Sequence, residues 1–280
     1  MNELRKRYVD GTVKTEGGNE ISLEELNFKN CIIGSDEAGK GEIFRPLITV
    51  AAYVRPEDME KLIGLGVKDS KDYGDSYEEA KEIFYPIAES LTGFTTYKDF
   101  EGKEGKVIRT DYATFVANAL LNHKFNQDFK PASGNKSGNL HELLRHEHKT
   151  ALLTLAGEVS YDYMVVDDFQ DGWHHDRILK EIDIPAGQAV IATKADTKVM
   201  AVACASVIAY YLTNLYVDAL DQMLKNEYGI SKPLARNAHY DNEAFQAPLR
   251  KLNEISKEKY EEFLEKYAKK HYMEKMVLKA

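Results

Sequence analysis

Cysteine is scarce in this chain. Cys31 and Cys204 are the two in 280 residues, far apart and both in apolar surroundings, which excludes a disulfide framework and fits a reducing compartment. Seven prolines and 18 glycines exclude collagen-like or linker-dominated sequence. Long apolar runs are missing too. The longest nearly apolar stretch, Val199 to Leu212, is too short to span a bilayer and contains Ser206. The opening Met1-Asn-Glu-Leu-Arg-Lys-Arg7 runs into polar sequence with no signal-peptide core. The expectation is a soluble cytoplasmic protein with no membrane partner. Positive charge is also short: 37 Lys and Arg stand against 46 Asp and Glu, a net charge of −9. That excludes histone-like binding by a wholly cationic protein. It does not exclude nucleic acid as a substrate, because a local patch or bound metal ions can supply positive charge.

What is present suits a folded domain. Hydrophobic residues make up 43% of the chain, enough for a sizeable core. Residues 1–27 are polar, with turn signals at Asp10-Gly11 and Gly17-Gly18-Asn19, and predict an arm or small hairpin. Cys31-Ile-Ile-Gly-Ser-Asp36 predicts a buried strand ending in acid, and Leu47 to Val54 a second strand. Ile83, Phe84, Ile87 and Leu91 predict a helix over 76–90. Residues 95–138 read as an irregular surface excursion or flap around a short helical pattern at 111–122, and 140–156 as a helix. Tyr163-Met-Val-Val-Asp167 predicts another strand ending in acid, Gly187 to Thr193 a further strand, and Thr197 to Tyr211 a buried helix without a polar face. The last 30 residues predict one charged amphipathic helix. Strands alternating with helices give an α/β class with a mixed central sheet flanked by helices.

Gly34-Ser-Asp-Glu-Ala-Gly39-Lys40 matches G-x-x-x-x-G-K, the core of a phosphate-binding loop. Three features oppose that reading. Gly41 stands where a Ser or Thr hydroxyl should bind magnesium, Asp36 and Glu37 would repel phosphate, and a strand follows in place of a helix. A metal site suits the residues better. Adjacent acids on an extended strand point to opposite faces, but a sharp turn at Gly39 and Gly41 would let both approach one cleft. The plainer alternative is an acidic turn that ends a strand. Asp167, with Asp168 beside it, ends another strand, and Asp196 precedes a helix, where it serves as N-cap, ligand or both. Acids delivered where strands give way to turns lie where α/β sheets build sites. Clustered carboxylates call for Mg2+ or Mn2+, and two such ions about 4 Å apart support phosphodiester cleavage.

Gly34-Ser-Asp-Glu-Ala-Gly-Lys-Gly41, Asp69-Ser-Lys71, Val165-Val-Asp-Asp-Phe169 and Lys194-Ala-Asp-Thr-Lys-Val-Met-Ala-Val-Ala-Cys-Ala-Ser-Val-Ile-Ala209 occur in that order. In this the chain resembles type 2 ribonucleases H, most of all ribonuclease HIII and next ribonuclease HII. Asn139-Leu-His, His148-Lys and Tyr267-Ala-Lys-Lys-His271 favour the HIII side. The resemblance implies a ribonuclease H-like fold over 28–280 and an endonuclease that hydrolyses the RNA strand of RNA–DNA hybrids. It implies Asp36, Glu37, Asp167 and Asp196 as the metal-binding quartet, and Gly39, Lys40 and Gly41 as the backbone that reads the ribose 2′-hydroxyl. Lys71 and Lys194 become phosphate contacts, and no obligatory protein partner is evident. The chain departs from the HIII pattern in three ways. Residues before the first strand leave no room for an N-terminal substrate-binding domain, Asp196 stands for the usual Glu, and Lys40 replaces the Thr of HIII or the Arg of HII. Whether lone ribonucleotides or only longer RNA tracts are cut stays open. Two other readings remain, a non-catalytic hybrid-binding protein and a ribonuclease H-fold nuclease acting on DNA.

Several residues invite other readings. His141, His146 and His148 lack the spacing of a zinc helix and read as solvated or hydrogen-bonded helix histidines. His174 and His175 read as exposed, Ser206 as bonded to a backbone carbonyl, and His239 or Tyr240 as packing or as a stacking platform. Leu249 to Ala280 holds nine Lys or Arg against six Glu, a solvated face or a phosphate-contacting edge.

Overall fold

Ile32 and Ile33 are both buried yet belong to different apolar clusters, because successive side chains of a strand leave on opposite faces. Their strand is β4, Ile32–Ala38, at the centre of the molecule. The structure, a computed structural model, describes residues 8–9, 12–14, 20–68, 73, 77–130, 139–167, 188–192, 194–234 and 243–273. Lys71, Asp168, His174, His175, His239 and Tyr240 lie outside those residues.

In chain order the other strands are β1 (Tyr8–Val9), β2 (Thr12–Lys14), β3 (Glu20–Ser22), β5 (Leu47–Val54), β6 (Val107–Arg109), β7 (Thr114–Leu120), β8 (Tyr163–Asp167) and β9 (Ala189–Ala192). Seven of the nine described strands make one sheet in the order β1-β9-β8-β4-β5-β7-β6. The first four in that order run parallel, and β5, β7 and β6 are antiparallel to their neighbours. The mixed sheet is therefore as the alternating pattern predicts. β2 and β3 pair separately as a small antiparallel ribbon, and β1 joins the edge of the main sheet.

Helices cover both faces. Those described are α1 (Leu23–Asn27), α2 (Met59–Leu65), α3 (Tyr77–Thr92), α4 (Tyr97–Phe100), α5 (Asn122–Asp128), α6 (Leu140–Ala156), α7 (Met200–Tyr228), α8 (Glu243–Ile255), α9 (Lys257–Tyr267) and α10 (Lys270–Met273). α7 packs along β4 and β5 with Ala201, Val202, Ala205 and Val207 in the larger cluster. Gly34 allows the close approach, since a Cβ there would sit 2.3 Å from the Val202 nitrogen. α6 covers the other face, with Ala151, Leu152 and Leu155 against Ile33, Val116 and Val166.

Three expectations are corrected. The helical pattern at 111–122 is strand β7: Phe115 and Ala117 enter the cluster beneath α7 while Val116 enters the one beneath α6. Burial on both faces hides the twofold period in the sequence, and the stretch extends the sheet. The C-terminal region divides into three helices, with Ser256 accepting the Lys259 N–H as N-cap of α9. The buried helix runs on to Tyr228, 29 residues in all, and by length and composition would pass for a membrane span. Its most apolar window is 89% buried inside the protein, as in the core helix of a globular domain.

Candidate functional site

β4 stays extended through Ala38, so the acids at its end part company. Asp36 faces α7 and Glu37 faces α6. The turn follows Ala38, too late to swing both carboxylates into one cleft as the glycines had suggested. Asp36 is 7% exposed; it accepts a hydrogen bond from Ser206 of α7 and one of 2.8 Å from the Glu37 N–H. Ser206 therefore serves a carboxylate, a role the sequence did not suggest. Glu37 lies between two cations or donors: His148 Nε2 is 3.1 Å from its Oε2 and Lys40 Nζ is 2.9 Å from its Oε1. His148, buried on α6, also meets Ser35 Oγ at 2.6 Å.

Asp167 ends β8 next to β4 and shares the face of Asp36. Its Oδ1 accepts the Ala195 N–H at 2.7 Å, which ties the end of β8 to the 3-10 turn Ala195–Thr197. Lys194 enters that turn at φ 54°, left-handed and exposed, and Asp196 is buried within it. Asp196 does not cap α7, whose N-cap is Val199. Asn27 does that work, accepting the Met200 N–H at 2.9 Å and donating to the Lys198 carbonyl at 2.8 Å.

Burial raises the pKa of Asp36 well above the usual carboxylate range, and the charges of Glu37 and Asp167 push it the same way. Burial would raise Glu37 as well, but the hydrogen bond from His148 and the charge of Lys40 outweigh it and hold Glu37 low. Among the described residues no three His, Cys, Asp or Glu side chains converge on one point where a metal ion would fit. Glu37 in particular is turned into His148 and Lys40. The donor chemistry nevertheless fits a hard divalent cation: the donors are all carboxylate oxygens, and negative charge crowded around buried Asp36 is what such an ion neutralises.

Past β4 the chain turns at Gly39, φ 82°, where a Cβ would lie 1.9 Å from the Pro46 carbonyl oxygen. Gly41 has open space around it. The loop from Gly39 to Pro46 rests on the C-terminal segment. Lys269 is fully buried between α9 and α10, and its Nζ donates to the carbonyls of Gly39, Glu42 (3.0 Å) and Arg45 (2.6 Å). Burial draws this amine's pKa down to about 7, Glu42 opposing and Arg45 adding to the shift. The Lys269 N–H and Asn122 Nδ2 both donate to the Ile43 carbonyl, at 2.9 and 3.2 Å, and the Tyr272 hydroxyl donates to the Lys40 carbonyl at 2.8 Å. Sequence reasoning missed the roles of Asn27 and Lys269; of the two readings offered for His148 the hydrogen-bonded one holds, with Glu37 and Ser35 as partners it did not name. His148 carries a signal in hindsight, since it shares a helical stripe with Leu144, Ala151, Leu152 and Leu155.

The family model described as Ribonuclease HII matches residues 33–263. A ribonuclease HIII of Bacillus thuringiensis subsp. konkukian is 29% identical over 234 residues, covering 83% of this chain and 64% of the relative. The chain thus spans a little under two thirds of the length of the curated relatives it matches. Among solved structures, Bst-RNase HIII in complex with Mn2+ aligns with a TM-score of 0.61 at 23% identity, over 90% of this chain and 71% of that one. RNase H3 of Aquifex aeolicus aligns at 0.53 with 17% identity, over 94% and 86% of the two chains. These likenesses bear out the fold anticipated from the motifs.

Proposed function

The chain belongs to the ribonuclease HII family, and on that premise we propose that it is an endonuclease hydrolysing the RNA strand of RNA–DNA hybrids. The observation that carries the reading is buried Asp36, its charge crowded by Asp167 and Glu37 where the parallel strands β4 and β8 end. Asp36, Asp167 and Asp196 would hold Mg2+ or Mn2+, and Glu37, turned toward His148 and Lys40, would flank that site. When bound, a pair of such ions lowers the pKa of a water and screens the charge that builds on the leaving oxygen.

The chain's own residues prepare the rest. Ser206 and the Glu37 N–H fix the rotamer of Asp36. His148 and Lys40 hold Glu37 ionised, and the Ala195 N–H orients Asp167. Gly39, Lys40 and Gly41 present backbone to the ribose, where the 2′-hydroxyl separates RNA from DNA. Lys194 and Lys71 contact phosphates. With a net charge of −9, long-range attraction to nucleic acid is weak, and binding rests on these local contacts and on the metal. Unpaired Cys31 and Cys204 suit the cytoplasm.

The test presents end-labelled duplexes of all-DNA, of RNA–DNA hybrid and of DNA with a single ribonucleotide, in Mg2+ or Mn2+. Cleavage of the hybrid with the all-DNA duplex untouched is expected. The single-ribonucleotide duplex decides between HII-like and HIII-like specificity. Cutting of the all-DNA duplex, or binding of hybrid without any cleavage, would defeat the reading.

A further inference from the structure

Five carbonyls of the glycine loop, those of Gly39, Lys40, Glu42, Ile43 and Arg45, accept hydrogen bonds from residues 122 and 269–272. A trans peptide holds its C=O and N–H antiparallel. Tethering the Gly39 carbonyl therefore aims the Lys40 N–H away from the tether, and tethering the Lys40 carbonyl does the same for the Gly41 N–H. The Gly41 N–H donates to the Glu42 carboxylate at 3.1 Å, a partner that a ribose hydroxyl would have to replace. The tethered carbonyls thus face the C-terminal segment, and the Lys40 and Gly41 amides point away from those tethers.

We propose that Lys269 is a positioning residue for substrate recognition, its ammonium gripping the inner carbonyls of the loop so that the Lys40 and Gly41 amides face the nucleic acid. An ammonium has three N–H bonds, and Gly39, Glu42 and Arg45 provide three acceptors. Its Nζ also lies 5.2 Å from the centre of the Phe125 ring, whose face favours a cation. A buried charge is costly to keep, and packing alone would be served by Leu or Met. Arg45 completes the inner layer by reaching Glu42 at 3.1 Å and Asn214 at 2.8 Å, which anchors the loop to α7. The C-terminal segment, on this account, is the rear wall of the recognition loop. The inference rests on the proposed reading of the loop as the part that meets ribose.

The test compares wild-type chain with Lys269→Met and with Tyr272→Phe, which removes one tether from the rim. Peptide-level hydrogen exchange is measured over residues 39–46, with β4 and α7 as internal references, together with KM and kcat on a labelled hybrid. In Lys269→Met, loop exchange should accelerate and KM rise, each by about tenfold or more, while exchange in β4 and α7 stays as in wild type. Tyr272→Phe should show the same pattern at about threefold, and it decides the matter if Lys269→Met does not fold. Unchanged loop exchange and unchanged KM in a folded variant would overturn the proposal. A wild-type chain that ignores the hybrid would instead overturn the functional reading, and loop exchange would then judge the tether by itself.

Discussion

His148 Nε2 lies 3.1 Å from Glu37 Oε2 while its Nδ1 lies 2.6 Å from Ser35 Oγ, so one buried ring on α6 bridges two same-face residues of β4. With a proton on Nε2 the ring can donate to the carboxylate while Nδ1 faces the serine hydroxyl. Without the ring, Glu37 keeps Lys40 and loses its inner partner. His148→Ala should lower the cleavage rate by about 10–100-fold, as loss of the support behind a ligand does. It should also cost about 1–3 kcal/mol of stability, since a buried carboxylate oxygen is left without its donor. Steady-state cleavage and urea denaturation check the two halves separately.

Gly39 and Gly41 look alike in the sequence and differ in the fold. Gly39→Ala places a Cβ against the Pro46 carbonyl at a left-handed φ, and should destabilise by about 1–3 kcal/mol. Gly41→Ala meets nothing within 4 Å, so its melting temperature should match wild type. If the Gly41 amide faces ribose, the added methyl should still raise KM for the hybrid. Thermal melts beside hybrid titrations separate these outcomes.

Much of this was readable from residue order. Apolar runs that stop at Asp36 and Asp167 mark two strands that do lie side by side, although β4 runs two residues past Asp36. What escaped the sequence is which face each acid takes, because that depends on how far β4 continues before turning at Gly39. β7 escaped because Thr114 to Leu120 is buried toward both faces, and such a short run has no distinguishing period. Lys269 escaped because lysine in a basic C-terminal stretch reads as solvated. Only tertiary packing sets its amine against loop carbonyls some 230 residues away in the chain.

Lys269 also makes a prediction about pH. Its pKa falls from 10.5 to about 7 on folding, so between those values the unfolded chain binds the proton more tightly. Stability then rises with pH through that window, as the cost of the buried charge is relieved. Lys269→Met should flatten the rise. Urea midpoints for both proteins at a series of pH values from about 6.5 to 10 provide the check.

The acids predict a response to metal that is independent of turnover. Asp36→Asn removes a buried charge repelled by Glu37 and Asp167 and keeps the shape that accepts from Ser206. Metal-free, the variant should be at least as stable as wild type, by up to about 1 kcal/mol. Added Mg2+ or Mn2+ should raise the melting temperature of wild type and leave the variant nearly unmoved. Equal stabilisation of both would place the ion elsewhere.

The most direct measurement is single-turnover cleavage of a labelled RNA–DNA hybrid by wild type and Asp36→Asn in Mg2+, with hybrid affinity measured in parallel. The variant should bind the hybrid and leave it intact. Cleavage by Asp36→Asn at a rate near that of wild type would contradict this.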